Sequence, residues 1–486
     1  MRTSRFRDFR GVVGLCLAVL LGIAHGVVAD ARGGEQRRPN LLVIITDQQH
    51  AGMLSCTGNR YVRTPGMDRL AAEGVRFELA YAANPVCIPA RVSMVTGRMP
   101  SYFGMRSNAE GRNQVPPEAL QRTMGRIFRE AGYETVYGGK THWLRGMTPA
   151  SIGFEPLTGK QREGLADACV RFLEGTREKP FLLVASFINP HDICYMAIDD
   201  HTRSKGGPVM YPSSRVERER LAQALQRPAG VSSEEFFAKH CPPLPENFEV
   251  PALEPPCVTE AYLKARTFRE YARDQWSEER WREHRWAYCR LTEMVDAHVA
   301  KVLDALERAG LEDETVVLFT SDHGDLDAAH RLEHKSIPYE EAARVPLLIR
   351  YPGEAKSGLV DTTHLVSVGL DLIPTLCDYA RIDPPAELRG RSLRPLTRRQ
   401  AVADWRDDVV VETKAGRMLR TSRYKYIVYE RGKGREQLID MVEDPGEMGN
   451  LAEDPAHRSV LTDHRQRLRR WVQETGDRIA LPYLVP

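Results

Sequence analysis

Apolar positions along the chain fall into two patterns. Up to about residue 350, short continuous runs recur: Leu41–Ile45, Thr135–Tyr137, Phe181–Phe187, Thr315–Thr320 and Val345–Ile349. Runs of this length without polar alternation predict strands buried on both faces, as in a parallel sheet covered by helices. Between them, Thr64 and Pro65 open a capped helix through Leu70 and Ala71, followed by a strand ending near Phe77. From Trp286 the spacing of Leu291, Val295, Val299, Val302 and Leu306 predicts a helix that stops at Gly310. Beyond Pro395 the pattern changes to Val409–Val411, Met418–Arg420 and Tyr424–Tyr429, short alternating stretches separated by turn residues. A charged helix follows over residues 456–475. The expected class is α/β, with a large mostly parallel central sheet and a small C-terminal antiparallel sheet carrying one packed helix.

The remaining segments set boundaries. Arg2, Arg5, Arg7 and Arg10 precede an apolar run over Gly11–Ala24 and the small-residue stretch Ala29-Asp30-Ala31. That order predicts a secretory signal peptide over residues 1–31, hence a secreted or periplasmic protein with no membrane span once the leader is removed. Residues 192–285 are charged and proline-rich, with Cys241-Pro-Pro-Leu-Pro245 and Glu254-Pro-Pro256. They read as a specificity insertion over the sheet edge within a catalytic domain of residues 32–400, with residues 401–486 as a C-terminal subdomain.

Charge narrows the partners. The 68 basic and 66 acidic residues leave a formal net charge of +2, which gives no field for nucleic acid. Nine cysteines include Cys16 in the leader. Setting aside Cys87 leaves seven, an odd set open to one or two disulfides in an oxidising compartment.

The chemistry collects where the apolar runs end. Leu41–Ile45 leads into Asp47 and Gln48, Thr135–Tyr137 into Lys140 and His142, Phe181–Phe187 into His191, and Thr315–Thr320 into Asp322 and His323. In open α/β sheets ligands bind beyond the carboxyl ends of strands, so four runs delivering acids, histidines and a lysine to one edge predict a site there. Cys87-Ile-Pro89-Ala-Arg91 opens a helix. Proline is favoured in a first turn, which places Cys87 just outside the start, where the helix's positive end and free N–H groups favour an anion and Arg91 adds donors.

With Cys87-Ile-Pro89-Ala-Arg91, Thr96-Gly97-Arg98, Gly139-Lys140-Thr-His142, Pro190-His191, Ser321-Asp-His-Gly-Asp325 and Lys335 before Tyr339-Glu340, the sequence resembles the formylglycine-dependent sulfatases of the alkaline phosphatase superfamily. The likeness runs from Asn40 to about Glu453. It implies an alkaline-phosphatase-like sandwich and a sulfuric ester hydrolase in which a formylglycine-generating enzyme oxidises Cys87. The hydrated aldehyde would attack sulfur and then expel sulfate. The resemblance places Asp47, Gln48, Asp322, His323 and modified Cys87 around one divalent metal. It has Arg91 and Lys140 holding the nucleophile, and His142, His191 and Lys335 binding sulfate and assisting the departing alcohol. Lys140, His191 and Lys335 are thus the substrate-binding set, with Asp325 and His330 in support.

The sequence departs from the commonest family pattern at three places. Ala90 replaces a serine, Gln48 a second aspartate and His323 an asparagine. Calcium is the first expectation, and a partly nitrogenous shell also admits manganese or magnesium. The expected substrate is a sulfated small molecule or saccharide. A phosphodiester or phosphonate monoester hydrolase of the same superfamily is the alternative, and a non-catalytic sulfated-glycan-binding protein the second. His334 forms an i, i+4 pair with His330 but reads as a surface or substrate-contacting residue, and Cys194 as a packed thiol.

Overall fold

A computed structural model describes residues 37–159, 161–162, 164–206 and 215–486. The expected leader over residues 1–31 lies outside the described residues. Residues 38–486 form one unit. The strands in chain order are β1 (Asn40–Asp47), β2 (Val75–Phe77), β3 (Ala80–Tyr81), β4 (Glu134–Gly139), β5 (Glu155–Pro156), β6 (Phe181–Pro190), β7 (Thr315–Ser321), β8 (Leu347–Arg350), β9 (Leu359–Asp361) and β10 (Val366–Ser367). The last four are β11 (Asp408–Glu412), β12 (Gly416–Thr421), β13 (Tyr424–Tyr429) and β14 (Glu436–Asp440).

The large sheet has eight strands in the order β5-β4-β6-β1-β7-β8-β2-β9. Pairing is parallel throughout except at β8, which is antiparallel to both β7 and β2, so one strand of the eight runs against the rest. All eight residues of β1 are buried. Its side chains alternate between two cores: Leu41, Val43 and Ile45 join the layer that contains the helix Cys87–Thr96 and the helix Val368–Ala380. Leu42 and Ile44 join the opposite layer with Val295, Val299, Val302 and Leu306 of the helix Glu278–Arg308. Neighbours Leu182/Leu183 and Val316/Val317 split in the same way. This two-sided burial is why β1, β6 and β7 read as unbroken apolar runs.

The long helix begins at Glu278, eight residues before the apolar spacing reveals it, because Ser277 caps it by accepting from Arg280 N. Its first turns are polar on the sequence yet pack Trp281 and His284 inward. Among the described residues between 192 and 277, α-helices of at most ten residues are interspersed with 3₁₀ and π turns. Thr64 stands at the N-cap of the helix Pro65–Glu73 without capping it through its side chain. Asp296 of the long helix does so instead, accepting from Gly66 N at 3.0 Å and Met67 N at 2.8 Å.

The small sheet is antiparallel in the order β11-β12-β13-β14. Val410, Leu419, Val428 and Leu438 pack against Leu461, Leu468 and Val472 of the helix Arg458–Thr475. The other face, with Val409, Val411, Met418 and Ile427, covers Leu326, Leu332 and Tyr339 in the segment that follows β7. None of the eight described cysteines forms a disulfide. Among the described residues no helix is long and apolar enough to cross a membrane.

Candidate active site

The four strands whose ends carry the expected chemistry are consecutive neighbours, β4-β6-β1-β7, all parallel. Their carboxyl ends therefore place Lys140, His191, Asp47 and Asp322 side by side. Gly139 turns the chain out of β4 with φ +92°, and a Cβ there would sit 2.0 Å from the Ser186 carbonyl oxygen. Lys140 N donates to that same oxygen at 2.8 Å, which fixes where the lysine leaves the sheet.

Cys87 is the first residue of its helix, one position further in than the spacing of Pro89 suggests, and is buried. The helix end is also less free than expected, because Asn108 Oδ1 accepts from Ile88 N at 2.9 Å. Anion stabilisation at Cys87 falls instead to side chains. Burial alone would raise the thiol's pKa, but Lys140, Lys335 and His323 hold it well below the ordinary value.

Asp47, Cys87, Asp322 and His323 bring one donor atom each to within 4.8 Å of one another. Arg91 cross-braces the two acids, donating from Nη2 to Asp47 at 2.8 Å and from Nε to Asp322 at 2.7 Å. Its Nη1 reaches Ser186 Oγ at 2.7 Å and the Lys140 carbonyl at 3.0 Å. Lys140 Nζ lies 2.6 Å from Asp47. His323 Nδ1 is 2.9 Å from the Gly324 carbonyl, so the tautomer that donates there leaves Nε2 bare, 3.2 Å from Cys87 Sγ. Two carboxylates, an imidazole nitrogen and a residue-87 donor suit a divalent cation, and the hydrogen-bonded imidazole is the arrangement metal sites use to orient a histidine.

Gln48, expected among the metal ligands, has its side chain engaged beside the cluster. Its Oε1 accepts from Cys194 Sγ at 2.9 Å and from Lys335 Nζ, while Nε2 donates to Asp325 Oδ2 at 2.6 Å. The amide is thus engaged on both ends beside the cluster, and only its backbone N–H touches it, donating to Asp322 Oδ1 at 3.1 Å. Tyr288 OH donates to the Gln48 carbonyl at 2.5 Å and accepts from His50 N at 3.0 Å. Neither Tyr288, Ser186 nor Asn108 carries a local sequence signal for these roles.

Cys87 forms part of the floor of a cavity of about 690 Å³ together with His142, His191, Cys194 and Lys335. His191 Nε2 is 4.0 Å from Asp47, and burial with nearby Lys140 and Lys335 lowers its pKa to about 3. His142 reaches the cavity with its Nδ1 unpartnered among the described residues. Cys194 is a packed thiol, its pKa pushed up to about 12 by burial. Asp325 stands behind Gln48, but His330 is directed elsewhere, with Nε2 2.9 Å from the Gly446 carbonyl. His334 is not a surface residue: 7% exposed, it lines the cavity and its Nε2 lies 2.9 Å from the Cys194 carbonyl. The i, i+4 histidines therefore serve separate partners.

Comparison with known proteins identifies the family. The sulfatase family model matches residues 39–382, and that of the N-sulphoglucosamine sulphohydrolase C-terminal region matches residues 328–474. A Delta 4,5-hexuronate-2-O-sulfatase of Bacteroides thetaiotaomicron is 32% identical over 465 residues, covering 91% of this chain and 90% of that protein. The solved structure of a 2-O GAG sulfatase superposes with a TM-score of 0.75 at 30% identity, over 91% of this chain and 93% of the other. The phosphonate monoester hydrolase of Agrobacterium radiobacter, at 21% identity and TM-score 0.68 over 90% and 96% of the two chains, shares the fold. The chain therefore belongs to the sulfatase family of the alkaline phosphatase superfamily and is a sulfuric ester hydrolase.

Proposed function

We propose that this enzyme is exported and removes sulfate from a sulfated saccharide, using a formylglycine at residue 87 and one divalent ion. The observation that carries the reading is the buried cluster of Asp47, Asp322, His323 and Cys87 opening onto a cavity whose floor also bears Lys335, His142 and His191. The carbohydrate follows from the hexuronate and GAG sulfatases this chain resembles over nine-tenths of its length. Export follows from the pattern of residues 1–31. We assign residues 32–400 to the catalytic domain and 401–486 to a C-terminal subdomain, with residues 192–285 shaping specificity.

Asp47, Asp322 and His323 would hold the ion with residue 87, and Gln48, expected as a further ligand, would instead fix Lys335. The ion would polarise a sulfate oxygen, and the hydrated formylglycine would supply the nucleophilic hydroxyl that a thiol cannot. Arg91 keeps both carboxylates in place and favours their ionised forms against the effect of burial. Lys140 and Lys335 stabilise negative charge on residue 87 and on the sulfate oxygens that develop it in the transition state. His191 is neutral at physiological pH because of its burial beside two ammonium groups, so it is suited to hydrogen-bond the sulfate and the departing alcohol rather than to take up a proton. His142 is placed to hydrogen-bond the sulfate or the departing alcohol oxygen.

The deciding measurement is the mass of the tryptic peptide Phe77–Arg91 from protein produced with a formylglycine-generating enzyme, where conversion lowers the mass by about 18 Da. A peptide that keeps the thiol mass overturns the reading. Turnover of aryl sulfate against aryl phosphate and phosphonate in the same preparation separates the phosphoryl alternative, which shares the tetrahedral geometry and differs in charge.

A further inference from the structure

The cavity wall is electrically one-sided. The chain as a whole is nearly balanced, yet among the described residues no aspartate or glutamate lines this cavity, while Lys335, Arg266, Arg269 and Lys414 do. Lys335 belongs to the floor. The other three stand further out: Arg266 and Arg269 on the segment after the π turn Thr259–Leu263, and Lys414 on the β11–β12 turn of the small sheet. None of the three has a carboxylate within ion-pair distance among the described residues, and the buried Glu333 carboxyl, which feels the Arg269 charge, lies beyond that range.

Arg269 is the best held of the three. Its Nη1 and Nη2 donate at 3.4 Å to the carbonyls of Tyr262 and Lys335, its guanidinium lies 4.0 Å over the Tyr262 ring, and its Nε has no partner. Tyr262 is itself anchored by donating to the Glu333 carbonyl. The guanidinium is thus preorganised by weak neutral contacts that an anion would outcompete. A second cavity of about 430 Å³ shares Lys414, Ala261 and Tyr429 with the first and is of mixed charge, with Glu260 and Glu430 beside Arg106 and Arg431.

We infer that Arg269, with Arg266 and Lys414, forms a second anion subsite, so that the preferred substrate carries a carboxylate or a second sulfate besides the sulfate at residue 87. The inference rests on the sulfatase reading of the cavity. An acid-free wall with unpaired cations repels nothing in such a substrate and leaves a monoanionic one without partners for three charges. The Arg269 contacts form away from the sulfur and are equally present in ground and transition states, so they act on KM.

The test is steady-state kinetics of wild type, Arg269→Ala and Lys414→Ala on three substrates: 4-nitrophenyl sulfate, a uronate 2-O-sulfate disaccharide and glucosamine 2-N,6-O-disulfate. The expected result is a roughly tenfold to hundredfold rise in KM for at least one dianionic substrate in Arg269→Ala, with kcat retained and 4-nitrophenyl sulfate changed less than about twofold. Whichever saccharide shows the rise identifies the second anion as carboxylate or sulfate. Equal losses on all three substrates, or no loss on any, overturn the inference. Lys414→Ala, on an exposed side chain, keeps the test open if Arg269→Ala fails to fold, with a smaller rise expected. If wild type turns over no sulfate ester, the hydrolase reading fails separately. The subsite is then read by titrating the disulfate and glucosamine 6-sulfate into Cys87→Ala and into Cys87→Ala/Arg269→Ala. Preference for the disulfate in the first alone upholds it, and equal affinity overturns it.

Discussion

Arg91 donates through Nε to Asp322 at 2.7 Å where both side chains are at most 1% exposed, and the same guanidinium holds Asp47. Removing it takes the guanidinium from buried Asp322 and leaves Lys140 as the remaining ammonium beside Asp47. Arg91→Met is expected to cost about 3–5 kcal/mol of stability, as for other broken buried pairs. Urea unfolding of both proteins checks this, and added divalent cation should recover part of the loss.

Chelation should have a matching effect. An ion bound only by the folded protein stabilises it by about 2.7 kcal/mol at a hundredfold excess over its Kd. Dialysis against a chelator is expected to lower the melting temperature and abolish sulfate ester turnover, with both restored by calcium, manganese or magnesium. Asp322→Asn and His323→Ala should show no such response, and elemental analysis of the purified proteins reads the metal directly.

Gly139→Ala is expected to reduce turnover by at least tenfold while the protein stays folded. A methyl group at that position meets the Ser186 carbonyl oxygen at 2.0 Å in a backbone conformation that costs a non-glycine residue about 1 kcal/mol or more, so the turn must shift and Lys140 moves with it. A circular dichroism spectrum like wild type with full activity would refute this.

Cys194 should prove dispensable for chemistry. With its pKa pushed up to about 12, only about one thiol in ten thousand is ionised at pH 8. Cys194→Ser is expected to retain kcat to within about fivefold, because a hydroxyl can still donate to Gln48. Peptide mapping after iodoacetamide at pH 8 should find Cys194 unlabelled in folded protein.

Asp192 gives a pH dependence of stability. Burial pushes its carboxyl up to about 6, with the two Arg162 bonds at 2.6 and 2.8 Å pulling only part of the way back. The folded state then holds this proton more tightly than the unfolded chain does. Stability is lost as pH rises from about 4 to about 6, by at most about 3 kcal/mol. Asp192→Asn should flatten that part of the curve. Parallel melting curves for the two proteins across the window would refute the assignment.

The sequence made the site edge visible because each relevant strand is buried on both faces and ends abruptly in polar residues. Asp47, Lys140, His191 and Asp322 could be read from where four apolar runs stop. The direction of β8 could not be read, since an apolar run looks the same in either orientation. Nor could the partners of Gln48: Tyr288 and Lys335 lie 240 and 287 residues away in the chain and contribute nothing to its local pattern. The early start of the long helix was masked because its first turns pack against an irregular segment and lack the periodicity of its later ones. The N-terminal N–H groups of the Cys87 helix were overestimated as free donors because Asn108 approaches from a 3₁₀ turn with no apolar signature.

The placement of Lys414 on a hairpin turn of the small sheet has an evolutionary consequence. The nucleophile and its acids sit on strand ends locked by neighbours on both sides, where almost any replacement is felt throughout the sheet. Part of the outer wall is the exposed Lys414 side chain, which makes no hydrogen bond or ion pair among the described residues that the turn depends on. Descendants of this enzyme can therefore trade one saccharide for another by drift at that turn, leaving the reaction itself inherited intact.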